Sequence, residues 1–188
     1  LSLFKRILDA YSSLKVVVHK DINPRNILVS EDFKNIKIVD FGASRLFASG
    51  SEKETGPYEA HDQYYAEYVS PEEKDLDSYD INSHTDVFKL GILFHQILTG
   101  FSRPLKNYNK KGFTNVDVSK LKKDFSGFGI DVALVKPISE IISKCLNVDP
   151  SDRYDHPEDL KDELDKNIEE SKNFSAYIRN ITSSKVFK

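Results

Sequence analysis

The chain has 188 residues, 39% apolar and 30% charged, with a formal net charge of −3. That is ordinary for one globular domain with a real core. It gives no global electrostatic reason to expect a nucleic acid or a membrane surface as partner, and no apolar run is long enough to span a bilayer.

Cys145 is the single cysteine and sits in the apolar stretch EIISKCLNV. One cysteine makes no internal disulfide and no paired zinc site, so it reads as a packed residue in a reducing, cytoplasmic setting.

In chain order, LSLFKRILDAYSSL places Phe4, Ile7, Leu8 and Tyr11 on one helical stripe. Val16 to Val18 read as a buried strand. NILVSEDFKNIKIVD reads as a hairpin: Ile27 to Val29, a polar turn from Ser30 to Asn35, and Ile36 to Val39. From Phe41 to about Asp80 no strong period appears, and an irregular stretch of that length is usually functional or disordered. SHTDVFKLGILFHQILTG is the strongest helix. Ser83 or Thr85 caps it, Gly100 stops it, and its apolar residues point to several faces, which puts it in the middle of a core. PISEIISKCLNVDP predicts a helix with Ile138, Ile141, Ile142 and Cys145 buried, ended by Pro150. HPEDLKDELDKNIEES predicts another, with Pro157 near its start and Leu160, Leu164 and Ile168 on one face. From about residue 172 the chain turns polar and is expected to lie outside the core.

The polar residues at the strand ends carry the chemistry. Asp21 follows the first strand, Asn26 opens the second, and Asp40 closes the third, followed by Phe41 and Gly42. If those ends are neighbours, two carboxylates and an amide oxygen converge. Hard oxygen donors in that number suit Mg²⁺, which keeps positions for phosphate. Gly42 lets the chain turn sharply after Asp40. Any one of these residues could instead serve only a local turn; three at successive strand ends are harder to explain that way.

In this arrangement His19-Lys20-Asp21 with Asn26 resembles the catalytic loop of eukaryotic-type protein kinases, H-R-D-x-x-x-x-N. Asp40-Phe41-Gly42 is similar to the D-F-G motif. Ser70-Pro71-Glu72 stands where A-P-E is expected, Asp86 to Gly91 resembles D-V-W-S-L-G, and Arg153 matches the family's late arginine. These landmarks run in order from about Leu1 to Leu164. The resemblance implies a mainly α fold, the C-terminal lobe of a kinase: a helical bundle around a central buried helix, with a short β-hairpin region carrying the catalytic loop.

It also implies roles. Asp21 is expected to accept the proton of a protein hydroxyl. Asn26 and Asp40 are expected to hold Mg²⁺ against the phosphates of ATP. Leu28 is expected to lie against the adenine, supported by Leu93 and Ile97. His19 and Phe41 are expected to stack in the core, with Asp86 holding the loop backbone from below and Glu72 paired with Arg153. The implied partners are ATP, a protein substrate and the family's N-terminal lobe, whose glycine-rich loop, strand lysine and partner glutamate do not occur in these residues.

Three departures matter. Lys20 replaces the motif's arginine, keeping the charge but losing the bidentate fork. Asn23 stands where serine/threonine kinases usually carry lysine, while Arg25 resembles the tyrosine-kinase form. Tyr65 stands near the place of the substrate-docking threonine; EYVSPE resembles the serine/threonine form, which is slightly favoured. The segment from Phe41 to Ser70 is long and holds Ser49, Ser51, Thr55, Tyr58, Tyr64 and Tyr65 as possible phosphate acceptors. A pseudokinase acting as a binding module, or less readily a small-molecule kinase of the same fold, stays open as an alternative. The 188 residues by themselves are expected to transfer no phosphate; measurable transfer from ATP to a protein substrate by this chain alone would contradict that expectation.

Overall fold

The structure is a computed structural model that describes residues 1–14, 17–46, 68–74, 81–99, 119, 121–122 and 132–183. Helix α1 spans Ser2–Ser12 and leads to strand β1, Val17–Val18. A single 3-10 turn, Pro24–Asn26, opens into the hairpin of β2 (Ile27–Val29) and β3 (Ile36–Ile38), followed by β4, Arg45–Leu46. The remaining helices are α2 (Pro71–Lys74), the central α3 (Ser83–Thr99), α4 (Val132–Cys145) and α5 (Pro157–Ser183).

The predicted hairpin is present in register, with Ile27 opposite Ile38, Leu28 opposite Lys37 and Val29 opposite Ile36. Its turn closes through Ser30 N–H to Asn35 O at 3.0 Å and Phe33 N–H to Ser30 O at 2.8 Å. Asp32 accepts from the Ser30 hydroxyl and the Lys34 N–H. Strand β1 does not join this hairpin but pairs antiparallel with β4. The three strand ends therefore meet without sharing a sheet. The hairpin is also less buried than its apolar run predicts: Leu28 is 53% exposed and Val29 39%. Among the described helices, α1 packs against β3, so the hairpin is backed on one face only.

Helix α3 is the hub, with α4 and α5 packed against it. Val87, Phe88, Leu90, Ile92, Leu93 and Phe94 are all buried along it, as a helix apolar nearly all round requires. The Phe4 ring of α1 stacks on Phe94 at 4.0 Å between centroids, 5° from parallel. Helix α5 rests on α4 and α1 through Leu160 and Leu164, and the ion pairs Lys5–Asp165 and Lys161–Asp9 sit at the rim of α1 against α5.

Two helix bounds differ from expectation. Helix α4 starts at Val132, five residues before its Pro137. Leu134 extends the buried stripe of Ile138, Ile141 and Ile142 by one turn, and that burial outweighs the N–H that proline lacks. Helix α5 runs on past Ser171 to Ser183. The strand residue Val16 and the helix stop Gly100 lie outside the described residues.

Cys145 is buried, and burial pushes its thiol well above its ordinary range, which fits packing and not nucleophilic chemistry. It also sets the closest approach in the core. A Cβ added to Gly91 would lie 2.5 Å from the Cys145 Cβ and 3.2 Å from Leu146 Cδ2. Gly91→Ala is therefore expected to push α3 and α4 apart and cost about 1–3 kcal/mol by overpacking. A thermal or urea unfolding curve of G91A indistinguishable from wild type would refute this contact.

Candidate active site

The site is built downward from the buried carboxylate of Asp86 in the first turn of α3. One of its oxygens accepts the His19 N–H at 2.6 Å and the Tyr11 hydroxyl; the other accepts the Lys20 N–H at 2.8 Å. Burial pushes the Asp86 carboxyl up, and these donors oppose that shift. Tyr11 comes from α1, so three segments meet on one side chain. Burial and the neighbouring Asp86 raise the Tyr11 phenol, which stays a donor. Lys20 takes a left-handed backbone with φ of 67°, a conformation that needs such over-determination in a non-glycine residue.

His19 turns the loop toward β3. Its Nε2 lies 3.1 Å from Val39 O, and its Nδ1 accepts the Asp21 N–H at 3.3 Å. A carbonyl can only accept, so Nε2 carries the proton and the ring bridges Asp21 to the residue before Asp40. The same convergence is reinforced by Val39 N–H to Asn26 O at 2.9 Å. Asp21, Asn26 and Asp40 are thus drawn together by loop hydrogen bonds and a histidine, where the sequence suggested neighbouring strands.

The Asp21 carboxylate is held from two sides. Asn26 donates its amide N–H to Asp21 Oδ2 at 2.7 Å and to Asp21 O at 2.8 Å. Asn23 donates to Asp21 Oδ1 at 2.9 Å and to Asp21 O at 3.1 Å. Asn23 also caps the Pro24–Asn26 turn by accepting the Arg25 N–H at 2.9 Å, and Pro24 supplies the φ that this turn needs. Asp40 is exposed and left-handed, with φ of 64°, and its Oδ1 accepts the Gly42 N–H at 3.3 Å.

Since the Asn26 nitrogen donates to Asp21, its side-chain oxygen could meet a cation, as could the exposed Asp40 carboxylate. Hard oxygens of this kind are the donors Mg²⁺ takes, in small number, with phosphate and water completing its shell. Among the described residues no three of His, Cys, Asp and Glu form a metal cage.

One expectation needs correction. His19 and Phe41 do touch, with centroids 4.9 Å apart, but the rings are tilted by 55° and Phe41 is 43% exposed. Only His19 belongs to the core. The chain turns out at Asp40, which lifts Phe41 to the surface. Leu28 lies on the open face of the hairpin, whereas Leu93 is buried and Ile97 packs against the core.

The segment from Tyr68 to Lys74 is fastened to α3 twice. Arg153 forks onto Glu72 at 2.8 and 2.9 Å, then reaches His84 O, Val148 O and Asn147 O. All five guanidinium N–H groups are thereby used. Its plane also lies 4.8 Å from the Phe88 ring centroid. Burial pushes the Glu72 carboxyl up, but the Arg153 fork outweighs it and holds the group below its ordinary value. The second fastening was not anticipated. Buried Lys89 donates to Glu73 Oε1 at 2.8 Å, while Glu73 Oε2 accepts the Ser70 N–H at 2.7 Å and its hydroxyl at 2.9 Å. The signal was a lysine on a helix buried on all faces, which demands an acidic partner. Residues 47–67, with Ser49, Ser51, Thr55, Tyr58, Tyr64 and Tyr65, lie outside the described residues.

A buried helix thus anchors a two-asparagine, one-aspartate loop, with a second aspartate on a left-handed turn after the hairpin. The protein kinase domain model matches residues 2–164, and the chain belongs to that family. Its mainly helical architecture, with short strands, is that of the family's C-terminal lobe. The chain is 33% identical to serine/threonine-protein kinase 17A of Oryctolagus cuniculus over 85% of its length and 38% of the relative's. It is 33% identical to serine/threonine-protein kinase PKH2 of Candida albicans, over 81% and 16%. With serine/threonine-protein kinase PknL of Mycobacterium tuberculosis it shares 28%, over 73% and 32%. The chain thus spans well under half the length of these relatives.

Replacing Arg153 by methionine leaves Glu72 buried without a counter-charge and is expected to cost about 3–5 kcal/mol. The pair's contribution is complete above pH 4.5, the ordinary glutamate value, and is lost as pH falls through the lower value of the folded state. The stability gap between wild type and R153M is therefore expected to narrow below pH 4.5. A gap that stays constant on acidification would contradict the assignment.

Proposed function

We propose that this chain is the C-terminal lobe of a protein kinase that transfers the γ-phosphate of ATP to a protein hydroxyl, serine or threonine in preference to tyrosine. The observation that carries the proposal is the Asp21 carboxylate, held by two asparagine amides on a loop anchored to Asp86. Its remaining lone pairs are available to a hydroxyl, and Asp21 accepts that proton as the oxygen attacks phosphorus. Asn26, through its free carbonyl oxygen, and Asp40 hold the metal and so fix the phosphates. Bound Mg²⁺ neutralises charge on the phosphate oxygens.

Leu28, apolar and half-exposed on β2, offers a surface for the adenine. The N-terminal lobe of the kinase, which carries the rest of the nucleotide site, is the partner proposed for this face. The serine/threonine preference is supported by the printed names of the relatives. Action inside the cell, in the cytoplasm, is part of the same proposal and leans on the single, buried cysteine, Cys145.

The test is phosphorylation of a generic protein substrate by the full-length kinase with ATP and Mg²⁺. Asp21→Asn is expected to lower kcat by about 10²–10⁴-fold, the usual worth of a positioned base. Asp40→Asn is expected to abolish metal-dependent transfer. Wild-type rates in both variants would remove the catalytic assignment and favour a binding module. Phosphotyrosine as the main product would overturn the serine/threonine preference.

A further inference from the structure

Asn23 is fully buried, and its amide does two different jobs. Its oxygen accepts the Arg25 N–H and so caps the turn. Serine or aspartate at that position would cap equally well, because a cap needs only an acceptor. Its nitrogen donates to Asp21 alone, at the main-chain oxygen and at Oδ1. The turn does not need that donor; the carboxylate does.

We propose that Asn23 is a positioning residue for phosphoryl transfer: together with Asn26 it grips the two carboxylate oxygens of Asp21 and fixes their rotamer toward the incoming hydroxyl. This rests on the reading of Asp21 as the base. Each carboxylate oxygen has more than one acceptor direction, so one amide on each leaves a lone pair for the substrate proton. Both grips are neutral. They orient the carboxylate without placing a cation in contact with it, so it keeps its full charge for the hydroxyl. A side chain that pivots away by about 1 Å can cost about 10²-fold in rate, which is the scale of effect expected from such a grip.

Two substitutions in the full-length kinase separate the two jobs. Asn23→Ser keeps an acceptor for the Arg25 N–H but is too short to bridge to the Asp21 carboxylate. Asn23→Asp keeps the acceptor and puts an oxygen where the donor was. N23S is expected to lower kcat about tenfold or more, with KM for ATP within about twofold, and N23D to lower it about 100-fold. The melting temperature of N23S is expected to stay within about 2 °C of wild type, since the cap is retained. In a crystal structure of N23S, Asp21 is expected to occupy more than one rotamer.

A wild-type kcat in N23S, a rate loss that only follows a fall in melting temperature, or a single unchanged Asp21 rotamer would each overturn the proposal. Parallel assays of D21N separate the two readings. If D21N is inactive while N23S is normal, only the role of Asn23 falls. If D21N is fully active, the base assignment falls and this role falls with it.

Discussion

The Asp86 carboxylate is the constraint on which the rest of the site depends. It is a buried charge whose compensation comes from backbone N–H groups of His19 and Lys20 and from the Tyr11 hydroxyl. Loops normally lack the packing that fixes a backbone, and here one side chain substitutes for it. Removing the acceptor would orphan two buried N–H groups and release a left-handed Lys20. The geometry of Asp21, two residues on, is inherited from that anchor. Because Asp86 sits in the first turn of α3, the loop is referenced to the central buried helix.

A second layer of polar fastening lies around the same helix, Lys89 on it and Arg153 beside its start. Glu72–Arg153 and Glu73–Lys89 are adjacent buried ion pairs that dock the segment around Ser70 against α3. Buried pairs contribute little net stability against an apolar alternative, but they are severe about geometry, since each charge tolerates only its partner's position. The core thus does two tasks with different chemistry. Apolar contacts such as Phe4 on Phe94 and Gly91 against Cys145 set how closely the helices approach. The carboxylates decide which loops sit at their ends.

Much of this was legible in the sequence because the signals were local or carried by spacing. The hairpin follows from two apolar runs separated by a polar turn, and its strands, Ile27–Val29 and Ile36–Ile38, fall where those runs lie. The central helix follows from apolar residues on every face. Asp86, Glu72 and Arg153 were placed by resemblance, and their contacts agree. What the sequence hid depends on tertiary partners. Lys89, on a helix apolar nearly all round, calls for an acidic partner, but only the packing names Glu73. Pro137 reads as a helix start until Leu134 is seen to be buried one turn earlier. Phe41 was placed in the core by resemblance, yet the chain turns outward at Asp40. Asn23 looked like a departure from a motif; its burial and its two-sided amide show what it holds.

The central claim is that the loop carrying the proposed base Asp21, which lacks its own core, is positioned by one buried carboxylate. The most direct measurement is the phosphoryl-transfer rate of full-length Asp86→Asn, a substitution that preserves shape but turns one acceptor into a donor facing an N–H. The account predicts a fall of about 10²-fold or more in kcat with the helical fold retained. Transfer at the wild-type rate would contradict it.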